Sequence, residues 1–331
     1  MVPIEPELTQ IIADVSQRLT LAAAWPASAP EDGRSDRDWR AGVAALRAQH
    51  DAVALEASRL CPALPAPRTP CDLDVTYVSV PVGSGLVQSA KLYRPRGGRA
   101  DRPAVLLLHG GGWWMAGGPV AFELGDPICR LLASELDAVV LNFDYRLAPE
   151  HRYPTALDDA EAAVDWLHAS ATTLGIDTGA IAVFGISSGG NLAAALARRL
   201  RGTDRALCLQ MLHVPALDLT FSSPSCLADP PWREHGDVLR SYYVPDHCDP
   251  LDPCISPALA DDFTGLPPAV VVTGRFDPLR DDGARYVDGL RGAGVDGVLL
   301  EYPMTHGIAT PDVTARWLVD VVAHAAPFLA S

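Results

Sequence analysis

Val183-Phe184-Gly185-Ile186-Ser187-Ser188-Gly189-Gly190-Asn191 is the stretch on which the reading of this chain turns. An apolar run from Ala180 to Ile186 precedes the serine and reads as a buried strand. A helix-like run from Asn191 to Leu200 follows at once. Between them stands Gly-x-Ser-x-Gly, a spacing that seats one serine on a strained strand-to-helix turn where only small neighbours fit. Such a turn exposes the hydroxyl and leaves the first N–H groups of the next helix free to meet a developing oxyanion. It nominates the Ser187 hydroxyl oxygen as a nucleophile. The pentapeptide alone also fits a glycine-rich loop before a helix, so the rest of the chain decides.

Working outward, Val105–Leu108 and Ala138–Leu141 are continuous apolar runs, as buried parallel strands require. Helical patterns fall at about 120–135 and 155–170. The alternation continues through 180–200, 206–214, 268–273, 281–292, 297–302 and 310–328. This is an α/β pattern, a mostly parallel sheet wrapped by helices. Asp74–Val80 and Leu86–Tyr93 alternate in polarity and read as half-exposed antiparallel strands ahead of it. Residues 5–22 and 36–60 carry apolar side chains at helical spacing, with a loop from Pro26 to Asp36 between them. A Pro-rich link, Cys61 to Pro70, follows. Between Leu217 and Pro267 the rhythm breaks into a Pro-, Asp- and aromatic-rich interval with a short helix near Arg233–Tyr243. A connection that long in a compact domain is usually a lid or binding element.

In open α/β sheets, sites form at the carboxyl ends of strands. After Val105–Leu108 comes His109-Gly110-Gly111-Gly112-Trp113-Trp114, where the glycines let the backbone turn N–H groups into a cavity, as an oxyanion hole requires. After Ala138–Leu141 comes Asp144-Tyr145-Arg146-Leu147-Ala148-Pro149-Glu150-His151, whose charges read as loop braces. After Ala269–Thr273 come Asp277, Asp281 and Asp282; after Val298–Tyr302 comes His306. The chain order is therefore Ser, Asp, His, the α/β-hydrolase order. A serine needs a neutral imidazole to take its proton, and the imidazole needs a carboxylate to fix its tautomer. Asp277 suits that role because it lies nearest the strand end. Asp281 and Asp282 read as the first turn of the next helix, where carboxylates suit the dipole.

Composition narrows the function classes. The chain has 331 residues, is 48% hydrophobic and carries a formal net charge of −15. That balance disfavours nucleic acid and anionic membranes as partners. No apolar run reaches the ~18 residues of a membrane span, and no signal peptide is visible, so the cytoplasm is the expected location. Lys91 is the only lysine, a bias that hints at a GC-rich bacterial source. Seven cysteines without framework spacing read as reduced thiols. His247, Cys248 and Cys254 offer a zinc site or local disulfide only as a minor alternative.

Taken together, His109-Gly110-Gly111-Gly112, Tyr145-Arg146-Leu147-Ala148-Pro149-Glu150, the Ser187 elbow, Asp277-Pro278-Leu279-Arg280-Asp281 and His306-Gly307 resemble the bacterial hormone-sensitive-lipase-like esterases. The resemblance spans about residues 70–328. It implies an α/β-hydrolase fold, a carboxylic-ester hydrolase and no cofactor. By position it implies Ser187 as nucleophile, Asp277 as orienting acid, His306 as base, and Gly111, Gly112 and Ser188 as oxyanion donors. His109 and Glu150 would be structural supports. It also implies a cap built from an N-terminal arm (1–70) and an insertion at about 217–266 in a hydrolase domain of residues 71–331. The chain departs from the family at Ile186 and Ser188, where Asp and Ala are usual, and at the bulky Trp113-Trp114 pair. That pair is expected to narrow the substrate pocket or wall it for a ring-bearing ester, or else Trp114 simply packs the loop.

The leading expectation is a serine esterase acting on a small or short-acyl ester, as monomer or homodimer. The alternative keeps the fold but makes the protein a biosynthetic tailoring enzyme, such as a deacetylase, acyltransferase or lyase. A non-enzymatic ligand-binding protein is a third reading, disfavoured because all three triad residue types are present.

Overall fold

The structure, a computed structural model, describes residues 4–19, 36–97 and 100–330. The expected loop from Pro26 lies outside the described residues, except Asp36, which opens the second helix. Residues 20–22, expected to end the first helix, also lie outside them.

Two helices come first, α1 (Pro6–Leu19) and α2 (Asp36–Leu60), packed on each other. A hairpin follows, β1 (Leu73–Val82) and β2 (Leu86–Pro95), paired antiparallel from Leu73↔Pro95 to Val82↔Leu86. The chain then alternates through β3 (Arg102–Leu108), α3 (Pro119–Glu135), β4 (Val139–Phe143), α4 (Thr155–Leu174), β5 (Ile176–Ile186), α5 (Ser188–Leu200) and β6 (Leu209–His213). Two helices interrupt it, α6 (Pro224–Leu227) and α7 (Pro230–Tyr243). It resumes with β7 (Ala269–Gly274), α8 (Arg280–Gly292), β8 (Gly297–Tyr302) and α9 (Pro311–Leu329).

The strands form one eight-stranded sheet in the order β1-β2-β4-β3-β5-β6-β7-β8. Among the described residues, only β1–β2 and β2–β4 pair antiparallel, and every other pair is parallel. Successive side chains leave opposite faces of a strand. In β3, Ala104, Leu106 and Leu108 therefore join Leu157 and Val164 of α4 and Leu192 and Leu196 of α5. Val105 and Leu107 join Ile128 and Leu132 of α3 and Leu318 and Val322 of α9. All seven residues of β3 are buried, which is why the run carries no alternation. The two-sided burial puts β3 and β5 at the centre of the sheet, and their carboxyl ends hold the glycine loop and Ser187.

Several boundaries differ from the sequence reading, and three of them have a clear local reason. β5 begins at Ile176 because Ile176 pairs with Arg102 ahead of the apolar run. α5 begins at Ser188, directly after the elbow, and not at Asn191. α7 begins at Pro230 because the Asp229 side chain caps it, accepting from the Trp232 N–H at 3.1 Å, and proline suits a first helical turn. Cys248 and Cys254 are free, partly buried thiols. No helix among the described residues is long and apolar enough to cross a membrane.

Candidate active site

Ser187 stands between β5 and α5 with φ 53° and ψ −113°, a left-handed conformation that a non-glycine residue rarely adopts. The tight turn is held from both sides. Ser187 N–H donates to the His213 carbonyl at 2.9 Å, and the Ser187 carbonyl accepts from Asn191 and Ala216. It also demands glycine at 189, where a Cβ would fall 2.1 Å from the Leu108 carbonyl oxygen. The elbow thus rests directly on the end of β3.

The Ser187 Oγ lies 2.9 Å from His306 Nε2. His306 Nδ1 lies 3.0 Å from Asp277 Oδ2. Asp277 is 3% exposed, and its Oδ1 accepts the Leu279 N–H at 2.8 Å, which fixes the carboxylate plane. With Nδ1–H donating to Asp277, Nε2 is left as the acceptor that faces the serine. The β7 and β8 loops bring this about by touching: Phe276 N–H donates to the Met304 carbonyl at 3.0 Å. Asp281 and Asp282 go elsewhere. Asp281 accepts the Ser225 N–H, and Asp282 accepts those of Leu217 and Asp218, so both hold the segment after β6. Burial raises the Asp282 carboxyl to about 8.

The loop after β3 turns through three left-handed residues in succession, Gly111 (φ 112°), Gly112 (φ 59°) and Trp113 (φ 63°). The Gly111 carbonyl accepts from Trp114 and Met115, at 3.2 and 3.1 Å. Among the described residues, neither the Gly111 nor the Gly112 N–H donates to a backbone carbonyl. Ser188 stands at the first position of α5, where an N–H has no intrahelical partner. All three residues line one cavity with Ser187 and His306. His109 supports the loop: its ring stacks on Tyr145 at 4.2 Å, and Tyr145 Oη donates to the His109 carbonyl at 2.8 Å. Burial lowers the His109 imidazole to about 4, so it is neutral near pH 7. Glu150 pairs with Arg47 of α2.

The cavity measures about 610 Å³ and is largely apolar. Ile186 lines it, on the side of Gly110. Trp113 and Trp114 also border it, yet each is only 1% exposed. Trp113 stacks on Tyr243 at 4.8 Å, and Trp114 meets His50 edge-on at 4.8 Å, so both rings are packed into the wall.

Several lining residues escaped the motif reading. Trp232, His235, Gly236 and Leu239 share one face of α7, and His50, Val53 and Ala54 come from α2. Burial, then His306, lowers the His235 imidazole to about 4. The signal for α7 was present as i, i+3, i+4, i+7 spacing, but nothing local says which partner that face meets. His213, behind the elbow, stacks on Trp317 at 4.1 Å, and burial followed by His306 lowers it to about 3.

Comparison with known proteins agrees with the fold. The family described as alpha/beta hydrolase fold matches residues 105–310. The carboxylic ester hydrolase LipN of Mycobacterium tuberculosis is 38% identical over 286 residues, 80% of this chain and 72% of that protein. The carboxylesterase NlhH of the same organism is 40% identical over 228 residues, 66% of this chain and 70% of that protein. Among solved structures, an esterase of Pyrobaculum calidifontis superposes with a TM-score of 0.76 at 32% identity, covering 99% of both chains.

Proposed function

Since the chain belongs to the α/β-hydrolase fold family, in its hormone-sensitive-lipase-like branch, we propose that it hydrolyses small carboxylic esters through an acyl-enzyme on Ser187. The observation that carries this reading is the continuous hydrogen-bonded series Ser187–His306–Asp277 beside an apolar cavity.

The steps follow from the atoms. His306 Nε2 takes the Ser187 proton as Oγ attacks the ester carbonyl carbon. The carbonyl oxygen becomes an oxyanion and accepts N–H donors from Gly111, Gly112 and Ser188. Asp277 holds the Nδ1–H and stabilises the imidazolium. The imidazolium returns its proton to the leaving alkoxide, which departs as alcohol. Water then repeats the sequence on the acyl-enzyme, with His306 again as base, and releases the acid.

The described part of residues 1–70 and the insertion at about 217–266 act as a cap, because α2 and α7 both line the cavity. Trp113 and Trp114 shape its inner wall from packed positions, which favours a short acyl group. The test is turnover of p-nitrophenyl acetate and butyrate by wild type and Ser187→Ala. Loss of roughly 10⁴-fold or more in kcat is expected. Equal turnover by the two proteins would remove Ser187 from the mechanism.

A further inference from the structure

One face of α2 grips the loop that carries the glycines. Arg47, His50, Asp51 and Ala54 recur at i, i+3, i+4 and i+7, so they share that face. Arg47 Nε donates to the Trp114 carbonyl at 2.5 Å. Its terminal nitrogens donate to the Ala148 carbonyl at 2.9 Å and to both Glu150 carboxylate oxygens at 2.5 and 2.9 Å. Asp51 Oδ1 accepts the Ala116 N–H at 2.7 Å. The His50 ring meets Trp114 edge-on between them. The Arg47–Glu150 pair is largely buried, with side chains 18% and 12% exposed, so it is held more firmly than a surface ion pair.

These contacts end at an oxyanion donor. Residues 111–115 form a single turn in which the Trp114 and Met115 N–H groups both hold the Gly111 carbonyl. That carbonyl and the Gly112 N–H belong to the same peptide unit. A trans peptide is planar, so fixing the carbonyl aims the N–H in the opposite direction. Arg47 holds the carbonyl of Trp114 and Asp51 holds the amide of Ala116, which pins the far side of the same turn. The Ala148 N–H donates to the Trp113 carbonyl at 2.9 Å, so Arg47 also braces the loop through its Ala148 contact.

We infer that Arg47 and Asp51 are positioning residues for the oxyanion hole, through which α2 sets the direction of the Gly112 N–H. This rests on the ester-hydrolase reading above. The N-terminal arm is then part of the transition-state machinery as well as a wall of the pocket. Hydrogen bonds to an oxyanion strengthen only as charge develops, so the effect falls on kcat.

The experiment compares p-nitrophenyl butyrate with its thiono analogue, whose developing charge sits on sulfur, a weak hydrogen-bond acceptor. For Arg47→Gln and Asp51→Ala, the oxoester kcat is expected to fall about 10- to 100-fold with KM within about 3-fold, as for a small misplacement of a catalytic group. The thionoester should lose far less, so the oxo-to-thiono ratio drops. Asp51→Asn keeps a carbonyl oxygen for the Ala116 N–H and should restore the ratio to near wild type. A general loss of folding would lower both substrates alike. Equal falls for the two esters, or an unchanged oxoester kcat in Asp51→Ala, would overturn the inference while leaving the esterase reading intact. A wild type with no Ser187-dependent turnover would overturn both.

Discussion

The Trp232 indole stands 4.9 Å from the His306 imidazole, centroid to centroid, with the planes 56° apart. One ring comes from α7 and the other from the loop after β8, so the pair ties the inserted segment to the base of the proposed triad. The tilted indole packs against the imidazole, whose side chain is 21% exposed. An aromatic contact of this kind is worth about 0.5–1.5 kcal/mol beyond burial, and about 1.4 kcal/mol is tenfold in rate. Trp232→Ala is expected to lower kcat/KM by about 2- to 10-fold, and Trp232→Phe to retain most activity. Steady-state kinetics on p-nitrophenyl butyrate decides it, and full activity in the alanine variant would dismiss the ring.

Three carboxylates follow β7 within eight residues, and their contacts assign them different tasks. Asp277 faces His306, whereas Asp281 holds the Ser225 N–H at 2.8 Å. Asp277→Asn should therefore lower kcat about 10⁴-fold, the loss expected when the imidazole tautomer is wrong. Asp281→Ala should cost about 1 kcal/mol of stability and change kcat less than about 3-fold. Kinetics and a thermal melt on each variant separate the two roles, and comparable kcat losses would contradict the assignment.

The difference in legibility between these residues is physical. Ser187, Asp277 and His306 each follow the carboxyl end of a strand; the apolar runs of β5 and β7 are buried, and β8, though only partly buried, still reads as Val298–Tyr302. The Gly111–Gly112 loop is legible because glycine is favoured at its left-handed positions, and a Cβ on Gly111 would fall 2.3 Å from the Met115 carbonyl oxygen. Trp232, His235 and His50 meet the site through tertiary packing with residues distant in the chain, and no local pattern encodes that. Arg47 is harder still. In sequence it is one arginine on a helix, and its importance comes from three partners at Trp114, Ala148 and Glu150. The bracing role read for Glu150 from sequence lacked its other half for that reason.

Buried ionisable groups set opposing pH dependences of stability. Burial lowers His213 to about 3 and His109 to about 4, from an ordinary 6.5. Below about pH 6.5 the unfolded chain binds protons that the folded chain refuses, so their contribution is complete above about 6.5 and lost as pH falls toward 4. Asp282 has the opposite sign. Its carboxyl is raised from 3.8 to about 8 by burial, so the folded chain keeps a proton that the unfolded chain releases. That contribution is complete below about pH 4 and lost as pH rises through 8. The melting temperature should peak near pH 6.5 and fall on both sides. His213→Phe should flatten the acid side and Asp282→Asn the alkaline side, in melts from about pH 4.5 to 8.5. A wild-type melting temperature still rising from pH 6.5 to 8.5 would refute the buried proton at Asp282.

Leu239 sets the room available beside the glycine loop. A methyl group placed on Gly112 would come within 2.8 Å of its Cδ2, and the same side chain lines the cavity. Leu239→Ala removes three carbons from that wall and leaves the Gly112 backbone in place. Each methylene buried in the vacated space contributes about 0.8 kcal/mol, roughly fourfold in kcat/KM. The ratio of kcat/KM for p-nitrophenyl hexanoate over acetate should therefore rise by about fourfold or more in Leu239→Ala and fall in Leu239→Phe. Opposite movement in the two variants is the decisive feature, because a general loosening of α7 would shift both ratios in one direction. An unchanged ratio in both would place the acyl chain elsewhere in the cavity, away from α7.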